Sequence, residues 1–281
     1  MTGKRVIGIT ASHRKTGNSE IVIKAIADKL EGWDLSLIRL PQLRIKPCKG
    51  CYACLLPGVM CNLSDDMQWL LDRIGEADAV IFAVPNYVLG PVGIMKMMAD
   101  RALQAMPYYE NFRRKNTAVA LTLGREDYRG YADTALISQV AALGLPVSGL
   151  ELFYGTHPGE VALDQGFDEK IARLATSLLA GKTGAPPAEG RCPRCFSDLF
   201  RIRNGELECA LCKSRAKQEG GSLEFHHFHH EFGEDGREEH FKWLLGKKEE
   251  YAGLKDALLK VRDNYKRGEW LSPPVEVPSR R

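Results

Sequence analysis

Six consecutive apolar residues, Ala79-Val80-Ile81-Phe82-Ala83-Val84, constrain this chain more than any other stretch. A strand with one wet face alternates apolar and polar residues, whereas a strand covered on both faces reads as a continuous apolar run. The segment therefore belongs in a parallel sheet with helices on both sides, and Pro85 is expected to end it. Residues 5–11 (RVIGITA) form a similar run, followed by the polar turn 12–19 and an amphipathic stretch through Ile21, Ile23, Ala25, Ile26 and Leu30. A short strand over 35–40, a helix near 65–75, a helix over about 91–106, a strand over 117–123 ending at Gly124, a helix over 131–143, a strand over 147–154 and a helix over 167–180 continue the alternation. Five strands alternating with helices predict a doubly wound α/β domain.

Cysteine placement bounds the rest. The chain has 281 residues and eight cysteines, all in two tight groups of four. Disulfide frameworks spread cysteines through small secreted chains, so this grouping points to metal ligation in a reducing compartment. Cys48, Cys51, Cys54 and Cys61 follow C-x₂-C-x₂-C-x₆-C in the loop after the second strand. Three thiols at two-residue intervals can take three corners of a cuboidal cluster, and the pattern reads as a [4Fe–4S] site ahead of structural zinc or a redox disulfide. Cys192, Cys195, Cys209 and Cys212 form two C-x₂-C knuckles around a stretch with an Asn204-Gly205 hairpin turn, which reads as a zinc ribbon with rubredoxin-type iron as the rival.

A Pro/Gly-rich stretch separates these two kinds of sequence. The expected organisation is a domain over 1–182, a linker over 183–190, and a ribbon with two further helices, near 238–245 and 247–267, over 191–281. A net charge of +3 and scattered basic residues give no reason to expect a nucleic-acid or membrane surface. With no leader pattern and no apolar run of membrane length, a soluble cytoplasmic protein is expected.

In doubly wound sheets, ligands sit beyond the carboxyl ends of the strands where the strand order reverses. Three loops there are 12–19, 85–91 and 124–130. The first precedes a helix whose leading N–H groups lack internal partners, so a phosphate fits, with Ser12, Arg14, Thr16, Gly17, Asn18 and Ser19 around it. Equally, Asn18 or Ser19 could simply cap the helix. Pro85, Asn86, Tyr87, Val88 and Gly90 offer backbone groups and an aromatic ring against which a flat heterocycle could lie. Gly124 permits close approach on a third side.

Residues 1–180 resemble the flavodoxin-fold iron–sulfur flavoproteins, within the wider group of NAD(P)H-dependent FMN reductases. The resemblance rests on Pro85-x-Tyr87-x₅-Gly93-x₂-Lys96-x₃-Asp100-Arg101, on the cysteine run 48–61, and on Ser12, Arg14, Asn18 and Ser19 in the first loop. It implies FMN as cofactor, a [4Fe–4S] cluster on Cys48, Cys51, Cys54 and Cys61, and a homodimer or homotetramer with FMN at a subunit interface. It also implies an electron-transfer oxidoreductase that works between a ferredoxin-like one-electron carrier or NAD(P)H and an acceptor. The C-terminal third departs from that family's minimal pattern. Lys96, Asp100 and Arg101 stand at helical spacing and read as a solvated ion-pair face, structural or interfacial and not catalytic.

Phe225-His226-His227-Phe228-His229-His230 lacks a carboxylate or cysteine placed to complete a metal site, and reads as a polar-aromatic strand beside the ribbon. Two alternatives stay open: an NAD(P)H-dependent quinone or flavin reductase whose metal is structural zinc alone, and a redox-sensing binding module acting through the ribbon.

Overall fold

The computed structural model describes residues 3–56, 58–181, 190–219, 222–228 and 234–266. The expected linker 183–190 falls almost wholly outside them, as do His229 and His230. Met1–Arg237 form one compact unit, and Glu238–Arg281 form a second.

Strands β1 (Lys4–Thr10), β2 (Trp33–Arg39), β3 (Ala79–Tyr87), β5 (Asn116–Leu123) and β6 (Val147–Tyr154) form a parallel sheet in the order β2-β1-β3-β5-β6. The two-residue strand β4 (Gly90–Pro91) pairs antiparallel with the end of β3. Leaving β4 aside, this is the flavodoxin-like order, whose switch point lies between β1 and β3. Helices α1 (Asn18–Asp28), α2 (Met67–Glu76), α3 (Gly93–Ala99), α4 (Tyr109–Phe112), α5 (Ala132–Ala142) and α6 (Phe167–Ala180) complete the layers.

Ala79 to Val84 are at most 1% exposed, as a strand covered on both faces must be. Alternate residues serve different cores. Val80, Phe82 and Val84 pack with Met67, Leu70 and Leu71 from α2 and Leu136 and Val140 from α5. Ala79, Ile81 and Ala83 pack with Val22, Ile23 and Ile26 from α1 and Ile171 and Leu174 from α6.

Two expectations in this region need correcting. Strand β3 runs through Pro85 to Tyr87, because Pro85 sits near the end of its pairing with β5, opposite Thr122, where a missing donor costs little. The helix expected over 91–106 ends at Ala99 and passes into 3₁₀ turns over Ala102–Tyr108 that contain Pro107, so Arg101 leaves the surface and points inward.

The ribbon is a four-stranded antiparallel sheet of β7 (Phe200–Arg203), β8 (Glu206–Cys209), β9 (Arg215–Glu219) and β10 (Ser222–His227). Asn204 and Gly205 both take positive φ, as a type I′ turn requires. A register shift between Phe225 and His227 breaks the alternation expected there. Phe225 packs between Phe200 and Phe228, while His226 Nε2 approaches Glu206 Oε1 at 3.3 Å.

One helix, α7 (Glu234–Asp263), replaces the two expected. Gly246, where the break was expected, lies inside it, and each glycine in a helix costs about 1 kcal/mol, too little at one position to break a helix rich in Lys, Glu, Leu and Ala. Among the described residues, no helix is long and apolar enough to cross a membrane.

Candidate active site and metal centres

The first loop is held from behind by a buried charge group. Glu20 accepts from the Thr16 N–H at 2.8 Å, Arg39 Nη2 at 2.7 Å and Lys24 Nζ at 2.7 Å. The Lys24 hydrogen bond is the largest influence on its carboxyl, outweighing burial with help from Thr16 and Arg39, and lowers its pKa to about 2. Arg39 also donates to the carbonyls of Ser12 and Arg14, each at 2.8 Å. A cleft of about 370 Å³ beside the loop has Lys15, Thr16, Glu20 and Arg39 in its wall. The Glu20 and Arg39 charges there are already spent on each other.

The structure separates the six predicted loop residues by role. Ser12 Oγ accepts the Arg14 N–H at 3.2 Å, and Arg14 Nη1 reaches the Thr156 carbonyl at 2.9 Å. Asn18 is committed to the loop after β6, donating to Gly155 O at 2.9 Å and accepting from Gly159 N at 2.8 Å. Ser19, only 2% exposed, bonds Thr122 Oγ1 on β5 at 2.9 Å. Neither side chain caps α1, whose N-cap is Gly17 and carries no side-chain cap bond. The leading N–H groups of α1 therefore keep the anion-binding character of an uncapped helix start. A Cβ on Gly17 would lie 2.9 Å from Arg14 Cβ, so the cradle tolerates no side chain. Glu20 stands at the third helical position and reaches back to the preceding loop, a local capping-box-like signal that motif spacing alone passes over.

The second and third loops brace each other. Asn86 Nδ2 donates to Tyr128 O at 2.6 Å, and Tyr131 N donates to Leu89 O at 3.1 Å. Gly130 has φ +57, and a Cβ there would fall 2.4 Å from Leu89 Cβ. Val88 and Leu89 also take positive φ, a strained conformation for branched side chains. Asn86 Oδ1 is buried without a partner, and Tyr87, Tyr128 and Tyr131 are about half exposed beside it. An orphaned acceptor beside exposed rings suits a flat heterocycle carrying a ring N–H. Pro85 O accepts from Val92 N at 3.3 Å, while Gly90 lies under Tyr131 and Gly124 beside Thr156.

The loop carrying Cys48, Cys51, Cys54 and Cys61 is closed at its mouth. Asp65 accepts from Lys46 N at 2.8 Å, and Arg44 and Asp66 exchange backbone and side-chain bonds across the same opening. Arg101, 2% exposed, pairs through Nη1 with Asp65, both side chains being 1% exposed. Nη1 also lies 3.2 Å from Lys46 O, and Nη2 points at Gln104 Oε1 (2.7 Å) and Cys61 Sγ (3.6 Å). Burial opposes the charge on Asp65, but the Arg101 bond and the Lys46 and Met67 N–H groups hold its carboxyl below the usual range.

Gly50 N lies 3.4 Å from Cys48 Sγ, so donors face two of the four sulfurs. Burial raises the Cys54 thiol, and the neighbouring Cys61, Cys48 and Cys51 add to the rise. Lys96 and Asp100 do form the expected surface pair, but Arg101 does not belong to that face.

In the ribbon, all four cysteine sulfurs lie within 4.8 Å of one another, with Cys192–Cys212 and Cys195–Cys209 each at 3.5 Å. A tetrahedron of thiolates around zinc has an edge of about 3.8 Å, so the set fits a single ion. Each knuckle repeats one geometry: Cys192 N to Ser197 O and Cys209 N to Ser214 O, both 2.8 Å, with the next residue after each second cysteine, Phe196 and Lys213, at positive φ. Hydrogen bonds shared with Cys192 push Cys195 up and Cys212 down.

The ribbon is bolted to the start of α5. Arg191 Nη2 donates to the fully buried Asp133 at 2.6 Å, Arg129 Nη2 to Asp198 at 2.6 Å, and Thr134 Oγ1 lies 3.0 Å from Ser197 Oγ. Phe196 enters the core beneath β3 and β5.

Comparison with known proteins agrees with this geometry. The NADPH-dependent FMN reductase family matches residues 4–156. Two iron-sulfur flavoproteins of Archaeoglobus fulgidus are 33% identical to the chain, one over 217 residues (74% of this chain and 88% of the relative) and one over 172 residues (58% and 83%). A solved flavone reductase structure shares the fold, with TM-score 0.71 and 17% identity, over 96% of this chain and 100% of its own. The chain belongs to the NADPH-dependent FMN reductase family and is a flavin-dependent oxidoreductase with a flavodoxin-like fold.

Proposed function

We propose that this protein is an electron-transfer flavoprotein with FMN on loops 12–19, 85–90 and 124–130, a [4Fe–4S] cluster on Cys48, Cys51, Cys54 and Cys61, and zinc in the ribbon. The observation that carries this reading is a single helix. Helix α3 begins just after the loop of Tyr87, Val88 and Gly90, and the chain leaving it delivers Arg101 to Cys61 Sγ, so the ring platform and the cysteine loop share one rigid connection. Bound there, FMN would supply hydride or single-electron exchange, and the cluster a one-electron port.

The chain's own residues do the rest. Backbone N–H groups at the start of α1 would receive the phosphate, with Arg14 and the Ser12 and Thr16 hydroxyls nearby. Asn86 Oδ1, buried without a partner, would accept from the ring edge, and the half-exposed Tyr87 and Tyr131 would shield its face from water. The partners proposed are a ferredoxin-like carrier or NAD(P)H on one side and an electron acceptor on the other, with the protein working as a homodimer or homotetramer in the cytoplasm. The ribbon's contacts with α5 favour a bracing role over an independent binding module.

The test is an anaerobic absorption spectrum with iron, acid-labile sulfide, zinc and flavin stoichiometry. Flavin bands plus broad absorption bleached by reductant, with sulfide present, are expected. Flavin with zinc but no sulfide would instead identify a quinone or flavin reductase with structural metal only.

A further inference from the structure

We infer that Arg101 is a positioning residue for the Cys48–Cys61 centre and raises its reduction potential by donating from Nη2 to the Cys61 sulfur. The inference rests on the reading of this cysteine run as an iron–sulfur site. The two ends of the guanidinium have different tasks. Nη1 faces Asp65 and the Lys46 carbonyl, one on each side of the cysteine run, which closes the loop at its neck. That task needs no sulfur contact. Nη2 has Gln104 Oε1 at 2.7 Å and Cys61 Sγ at 3.6 Å, and Gln104 is itself fixed by Gln68 Oε1 at 3.2 Å. The guanidinium plane is thereby locked with one N–H aimed at a ligand sulfur and the Asp65 charge on its far side.

Reduction adds one electron to an iron–sulfur core and makes or breaks no bond to the protein, so its midpoint follows how well the surroundings tolerate the added negative charge. Hydrogen bonds to cluster sulfurs and local charge are the protein's levers on that potential. Arg101 supplies both from a buried position, where solvent screens them little. Lysine cannot reproduce this, because its compact ammonium lacks the planar fork needed to serve Asp65 and Cys61 together.

The experiment is an anaerobic dithionite titration of the cluster-replete protein, followed by electron paramagnetic resonance and absorption, with iron and sulfide counted in every sample. Arg101→Gln combined with Asp65→Asn removes the pair without leaving a buried charge. Its cluster midpoint should fall by about 59 mV or more, about tenfold in a one-electron equilibrium, while the flavin midpoint stays in place. Arg101→Lys should move it less and in the same direction. An unmoved midpoint in a cluster-replete variant overturns the inference. Should the double variant lose its iron, a cluster-replete Arg101→Lys with wild-type potential overturns it equally, and a lowered one supports it. Wild-type protein without acid-labile sulfide would instead overturn the cluster reading on which the inference stands.

Discussion

The two cysteine groups are built in opposite ways. In the ribbon, short knuckles turn by local backbone geometry, so the four sulfurs are buried or half-buried and already within single-ion reach. In the 48–61 loop, Cys48 and Cys51 are exposed and Cys54 and Cys61 only half-buried. Its shape depends instead on Arg101, 40 residues beyond Cys61, gripping Asp65 and the Lys46 carbonyl at its neck. A single ion can be enclosed by two local turns; a larger centre needs a wider loop, and a wider loop needs a remote latch.

The largest effect that could break this comparison is loss of a ribbon ligand. Structural zinc contributes on the order of 10 kcal/mol to small metal-dependent folds, so Cys209→Ser should abolish stoichiometric zinc and unfold β7–β10. Native-state hydrogen exchange over 192–227 would register it. Retention of full protection would mean that the docking on α5, and not the ion, holds the ribbon.

Next comes that docking. Arg191→Ala leaves Asp133 buried with the Thr134 N–H at 3.0 Å and its nearest remaining cation, Arg129, at 3.9 Å, and removing one partner of a buried pair typically costs about 3–5 kcal/mol. Denaturant melts should show this loss, and adding Asp133→Asn should recover part of it.

The Glu20 clamp gives a pH signature. Its folded pKa is depressed to about 2, so its stabilisation is full above the usual carboxylate range and is lost as pH falls through that range toward 2. A shift of this size corresponds to roughly 3 kcal/mol at most, and Glu20→Gln should flatten the stability profile between about pH 5 and pH 2. An unchanged acid limb in the variant would show that the clamp carries no such weight.

For the phosphate cradle, Gly17→Val should weaken FMN about tenfold, near 1.4 kcal/mol, measured by fluorescence titration of flavin-stripped protein. Equal affinity would move the phosphate site elsewhere. Smallest of all, Lys96→Ala should change stability by only a few tenths of a kcal/mol, because that pair is solvated, in contrast to its neighbour Arg101.

Much of this was readable from the chain where causes are local. The apolar run at 79–84, the Asn204-Gly205 turn and both C-x₂-C knuckles encode their shapes within a few residues. What escaped depends on distance. Asn18 looks like a helix cap until Gly155 and Gly159 claim its amide, and Ser19 until Thr122 claims its hydroxyl. Arg101 reads as a surface residue on a straight helix, and only the early end of α3 turns it toward a loop some 40 residues back. The ribbon reads as a tethered appendage because Asp133 and Arg191 carry no local sign of their pairing.

The central claim is that the two groups hold different metals independently, and paired serine variants with metal analysis test it most directly. Cys61→Ser should remove iron and acid-labile sulfide while zinc and flavin stay stoichiometric; Cys212→Ser should remove zinc while the sulfide remains. Loss of the same metal from both variants, or sulfide absent from the wild-type protein, would contradict the account.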